Sequence, residues 1–141
     1  MKVLFDTNII IDILKRREPH FEKSNEVFMF AIDGKIESFI CVSAITDIFY
    51  ILRKEYTDTK TMLGIIFDIL EIVKPIDVFV RDIYNAAKLD FLDFEDAVTA
   101  AVAQREKADY IITRNKRDFL QSFIPAITPD EFLHLVRENP I

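Results

Sequence analysis

Short β-rich runs alternate with longer helical patterns along this chain, and that alternation narrows the fold more than any other feature. The runs are Val3–Phe5, Ile36–Val42, Tyr110–Ile112 and Ala126–Ile127, with a further short strand near Pro75–Ile76. Strands separated by helices are the pattern of βα units around a parallel sheet, so the expected class is α/β. The helices carry their own punctuation. Phe21, Val27, Phe28, Ala31 and Ile32 precede Gly34, which is placed to stop a helix in the left-handed conformation. Thr128-Pro129-Asp130-Glu131 supplies a capping threonine, a proline at the first helical position and a glutamate at the third, so residues 131–137 should form a helix docked by Phe132, Leu133, Leu135 and Val136. Right-handed crossovers put the carboxyl ends of all parallel strands at one edge, where ligands bind.

Composition removes several chemistries. At 141 residues, half of them apolar and without repeats or Gly/Ser linkers, residues 1–141 are expected to form a single domain. Cys41 is the only cysteine, which excludes an intrachain disulfide or a cysteine-rich metal site and suits a reducing, cytoplasmic setting. Gly34 and Gly64 are too few for a dinucleotide fingerprint or a phosphate-cradling loop. His20 and His134 are too few for a histidine-rich metal site. Apolar runs are broken by Asp12, Asp68 and Glu71, well short of the span of about 20 residues a bilayer requires, so no membrane segment is expected. The start at Lys2-Val3-Leu4-Phe5 lacks the pattern of a secretory signal. A net charge of −6 argues against a dominating basic field, though not against a locally basic rim.

The remaining reactive groups are carboxylates at strand ends. Asp6-Thr7-Asn8 follows the first strand, Ser43 to Asp47 follows the second, and Thr113-Arg114-Asn115 with Asp118 follows the run ending at Ile112. Taken singly, helix capping explains Asp6 and solvent exposure explains Asp118. Asp47 is harder to dismiss. A helix starting at Ser43 sets it beside Ala44, Tyr50 and Ile51, and Asp47–Leu52 offers no basic partner. In Asp93-Phe94-Glu95-Asp96-Ala97-Val98, Asp93 and Asp96 flank an apolar helix face. A nearby cation would relieve their repulsion, while capping by Asp93 and favourable dipole placement of Glu95 and Asp96 is the plainer account. Together, Asp6, Asp47, Asp93, Asp96 and Asp118 form an oxygen-only set that suits Mg²⁺ or Mn²⁺, ions able to activate water for phosphodiester hydrolysis.

In order and spacing, Asp6-Thr7-Asn8, the acid Asp47, Asp93-Phe94-Glu95-Asp96-Ala97 and Ile112-Thr113-Arg114-Asn115 with Asp118-Phe119 resemble PIN-domain ribonucleases, and the length is similar to that of the VapC-type toxins among them. The resemblance implies a three-layer Rossmann-like fold, a central parallel sheet of about five strands flanked by helices. It also implies a Mg²⁺- or Mn²⁺-dependent endoribonuclease, with Asp6, Asp47 and Asp96 as catalytic acids and metal ligands. Asp93 supports the site, and the fourth polar position falls at Asn115 or Asp118. Asn8, Thr113, Arg114 and Asn115 then belong to the substrate side. Family members often carry glutamate in place of Asp47 and aspartate in place of Asn115, and the reduced charge makes a one-metal site credible.

The resemblance further implies an RNA substrate, a small antitoxin protein as partner, and a homodimer. The helical patterns at Thr59–Val73 and Val78–Leu89 are apolar enough to offer a partner surface, with Leu63, Ile66, Phe67 and Leu70 along one face, although covering the sheet explains them equally. Lys15-Arg16-Arg17, Arg53-Lys54 and Arg114-Lys116-Arg117 are short basic groups that ordinary solvation explains, except Arg114 at its strand end. The alternative is a non-catalytic RNA- or protein-binding module that retains the PIN fold. A phosphoacceptor switch is disfavoured because Asp47 and Asp96 fall on helices.

Overall fold

The computed structural model describes residues 1–56 and 58–141. Five parallel strands, β1 (Lys2–Phe5), β2 (Glu37–Cys41), β3 (Lys74–Ile76), β4 (Tyr110–Ile112) and β5 (Ala126–Ile127), form one sheet in the order β3-β2-β1-β4-β5. β1 is central. Leu4 is level with Phe39 of β2 on one side and with Ile111 of β4 on the other, and Phe5 with Ile112. Val3, Leu4 and Phe5 are all buried, as a strand covered on both faces requires. Successive side chains point to opposite faces, so they feed two separate layers.

One layer receives Val3, Phe5, Ile40 and Ile112. It is filled by Ile9 and Ile10 of α1 (Thr7–Lys15), Val27 and Phe28 of α2 (Phe21–Ile32), Ile48 of α3 (Val42–Leu52), Ile66 of α4 (Thr59–Ile72) and Phe132 of α7 (Pro129–Glu138). The other layer receives Leu4, Cys41 and Ile111, covered by Ala86 of α5 (Val80–Ala86) and by Ala97, Ala100, Ala101, Val102 and Ala103 of α6 (Phe94–Arg105). Small side chains let α6 lie close on the sheet, and that closeness brings its first turn to the carboxyl ends of β1 and β4.

Local chemistry accounts for the boundaries. Gly34 has φ +67°, and the amides of Gly34 and Lys35 close the end of α2 on Ala31 and Phe30. Thr128 and Glu131 make the expected reciprocal cap, and the helix runs on to Glu138. Three expectations shift. α3 begins at Val42 rather than Ser43, because Cys41 is the last extended residue and serves as N-cap. The helix expected over 78–89 is confined to Val80–Ala86, since Phe79 is extended and donates its N–H to the Asp82 carboxylate at 2.8 Å. The apolar stripe of α3 is Ala44, Ile48 and Leu52 at four-residue spacing. Tyr50 points outward, 57 % exposed, and Asp47 sits half-buried at the edge of the stripe.

A candidate acidic active site at the carboxyl edge of the sheet

The strand order reverses at β1: the chain steps outward through β2 and β3, then returns to lay β4 on the opposite side. The crevice at the carboxyl ends of β1 and β4 is therefore the topological switch point, where ligands of open α/β sheets bind. Asp6 leaves β1 and Thr113 leaves β4 at that point.

Asp6 occupies the N-cap of α1 without a capping hydrogen bond to its side chain, although the adjacent Thr7 amide helps to lower its pKa. Its Oδ2 accepts from Thr113 Oγ1 at 2.6 Å and from Asn8 Nδ2 at 2.7 Å. The backbone N–H of Arg114 donates to Asn8 Oδ1 at 3.3 Å, and that of Asn115 to Thr113 Oγ1 at 3.1 Å, so the two strand exits form one polar network. Burial raises the Asp6 pKa; the Thr113 hydrogen bond and the charge of Arg114 pull it down, and Asp118 pushes it up.

Asp96 lies in the first turn of α6. Its pKa is raised to about 7, first by burial, then by repulsion from Asp6, Asp93, Asp118 and Glu95. Glu95 is likewise raised to about 7, by desolvation, by the charge of Asp47 and a hydrogen bond with its side chain, and by Asp93 and Asp6. The carboxylates of Asp6, Asp96 and Asp118 thus act on one another, and Asp47 reaches the group through Glu95. Among the described residues, no three Asp, Glu, His or Cys side chains are closed into a metal-holding group. The donors that face the cleft are nonetheless all oxygens, desolvated and mutually repelling, a set that fits a hard divalent cation and offers nothing to a soft one.

Several residues take parts other than those expected. Asp93 is the N-cap of α6, its Oδ1 accepting from the amides of Glu95 at 2.8 Å and Asp96 at 3.2 Å, which is the plainer of the two sequence readings. Thr113, expected on the substrate side, is fully buried and spends its hydroxyl on Asp6. Arg114 pairs through Nε with Oδ2 of Asp12 at 3.2 Å, and Asp12 lies fully buried on the inner face of α1. In the sequence Asp12 shows only as a break in an apolar run. Asn115 is exposed in the loop after β4, while Asp118, in a 3-10 turn over Lys116–Phe119, bears on both Asp6 and Asp96. Glu95 was missed: at the second position of a helix an acid is explained by the dipole, and only the unpaired Asp47 hinted at a neighbour.

The profile of the PIN domain family matches residues 2–117, and the chain belongs to that family. Its relatives include ribonuclease VapC1 of Aquifex aeolicus (strain VF5), 26 % identical over 136 residues that cover 93 % of this chain and 92 % of the relative. Among solved structures, VapBC2 from Rickettsia felis bound to a DNA fragment from their promoter superimposes with a TM-score of 0.70 at 14 % identity, covering 91 % of this chain and 98 % of that one. A toxin–antitoxin complex from Klebsiella pneumoniae gives 0.63 at 23 % identity, with 90 % and 97 % covered. The expected fold class, a three-layer PIN fold around five parallel strands, is the one observed. No helix among the described residues is long and apolar enough to cross a membrane.

Proposed function

We propose that this chain is a divalent-metal-dependent endoribonuclease that hydrolyses RNA phosphodiester bonds and serves as the toxin of a toxin–antitoxin pair. The observation that carries the reading is the burial of Asp6 and Asp96 in mutual repulsion at the switch point of a PIN fold. The ribonuclease relative and the toxin–antitoxin assemblies of the same fold support it. Residues 1–141 then act as one nuclease domain, cytoplasmic and homodimeric.

Asp6 and Asp96, with Asp47 and Asp118 at the margins, would hold Mg²⁺ or Mn²⁺. The ion when bound supplies Lewis acidity toward the phosphodiester and lowers the pKa of water. Thr113 and Asn8 fix Asp6 by Oδ2, setting the direction of the rest of its carboxylate. Asp93 orients Asp96 by capping its helix. Glu95, raised to about 7 by desolvation and by the Asp47 carboxylate beside it, holds a proton near neutrality that a cation would displace. Leu63 and Phe67 of α4 and Tyr50 of α3 are exposed and support a protein partner seated on that side.

The test is cleavage of RNA by purified protein with Mg²⁺ or Mn²⁺, with and without EDTA. Asp6→Asn and Asp96→Asn are expected to lose cleavage while staying folded. Retention of full activity by both variants, after contaminating nuclease is excluded, would refute the assignment.

A further inference from the structure

Three basic side chains follow β4, and the structure spends them differently. Arg114 is committed to Asp12 and Lys116 to Glu131. Arg117 enters no ion pair among the described residues, although it shares a cavity with four aspartates. That cavity, about 380 Å³, opens between the loop before α6 and the 3-10 turn, and Asp96 and Asp118 belong to its wall. Its other side is apolar. Phe91 packs edge-on against Phe119, with ring centroids 6.1 Å apart, and Phe119 is buried, so the wall is anchored to the core. Leu92 is fully exposed and Leu120 is 76 % exposed, both on this cavity, with the Gln121 amide beside them.

A single exposed leucine needs no explanation. Two of them on one cavity, next to an unspent guanidinium and continuous with the acids proposed to hold the metal ion, have a common one. We propose that this cavity is a subsite for the RNA nucleotide flanking the scissile phosphate. The base lies against Leu92 and Leu120, Gln121 faces its polar edge, and Arg117 takes the adjacent phosphate. The volume is within the range of about 300–1,000 Å³ that holds a small ligand. A guanidinium supplies the two-pronged contact that a phosphate favours, while apolar side chains cover more of a purine's larger face than of a pyrimidine's and so favour it. The inference rests on the nuclease reading and adds to it residues that set affinity and base preference. It also explains how a chain of net charge −6 holds a polyanion: the one uncommitted cation of the segment stands beside the acids.

The experiment compares wild type, Arg117→Ala, Arg117→Lys and the double variant Leu92→Ser/Leu120→Ser. Steady-state cleavage of an oligoribonucleotide and sequencing of ends cut from a random RNA pool give the two readouts. The three side chains replaced are exposed, and unchanged melting temperatures confirm folding. Arg117→Ala is expected to raise KM roughly tenfold with kcat little changed, and to reduce the salt slope of log kcat/KM by about 1. Arg117→Lys should recover part of the loss. The leucine pair should flatten the base preference at one nucleotide beside the cut. Wild-type cleavage with KM and preference unmoved in every variant overturns the subsite alone, and is also the outcome if the cavity instead takes a protein side chain. A wild type that cuts no RNA with either ion overturns the nuclease reading and the subsite with it.

Discussion

Without a cation, the acidic cleft should cost the protein stability, and Asp96→Asn should recover part of it. Burial and neighbouring acids raise the Asp96 pKa from an ordinary value of 3.8 to about 7. The folded state therefore binds a proton that the unfolded chain releases, and stability falls as pH rises from about 4 to about 7. At about 1.4 kcal/mol per tenfold change in proton affinity, the ceiling is about 4 kcal/mol at pH 8. Asp96 is only half-buried and its neighbours titrate with it, so solvent screening reduces the net effect to about 1–2 kcal/mol. Asparagine keeps the shape and removes the charge. In urea unfolding with EDTA, the variant should be more stable than wild type by that amount at pH 8, and the two should converge near pH 4. For a chain of this size the gap is about 3–8 °C in melting temperature. Saturating Mg²⁺ should close the gap by stabilising wild type. Equal midpoints at pH 8, or a variant less stable by the same amount at both pH values, would show that Asp96 is not held in repulsion.

Asp82 is fully buried and accepts from Arg105 Nε at 3.0 Å and from the Phe79 amide at 2.8 Å, so Asp82→Ala should cost about 1–3 kcal/mol in urea unfolding by leaving those two donors without their acceptor, while Glu106 and the Asp77 carbonyl still hold the rest of the guanidinium. The double variant Asp82→Ala/Arg105→Met should be less damaged than Asp82→Ala alone, and equal or greater loss would contradict the pairing. Burial pushes the Cys41 thiol up to about 12, so a thiol reagent at pH 8 should leave the native protein untouched and modify one group per chain in denaturant. Rapid modification of the native protein would show that the β2 end opens.

Strands and helix caps were legible because they are local. Val3–Phe5, Gly34 and Thr128-Pro129-Asp130-Glu131 each carry their conformational reason within a few residues. The acids were legible only as a set, since each has an adequate local explanation. Asp93 fulfils its local explanation by capping α6, whereas Asp6, in an equivalent N-cap position, turns its carboxylate to Thr113 instead. Nothing in either tripeptide separates these outcomes, because the deciding partner lies 107 residues away in sequence. A comparable separation in sequence hid the pairing of Asp12 with Arg114, which turned an expected substrate contact into an internal one. Glu95 was hidden for a different reason: its neighbour Asp47 comes from another helix, and their meeting depends on how closely the alanines of α6 let it approach the sheet.

The order of the strands therefore does more than classify the fold. Because β4 returns beside β1, residues after Phe5 and after Ile112 become neighbours without any local sequence signal. The close approach of α6 then sets Glu95 and Asp96 over that junction. Asp6, Glu95 and Asp96 are each raised there, by burial first and by neighbouring acids after it, so assembling the cleft costs stability. The core beneath must exceed that cost, and β1, buried on both faces between two packed layers, is the element able to hold it. Replacing Asp96 by asparagine should consequently stabilise the fold while weakening cation binding, whereas replacing a layer residue such as Phe132 by alanine should lower the stability of the fold by about 3–5 kcal/mol.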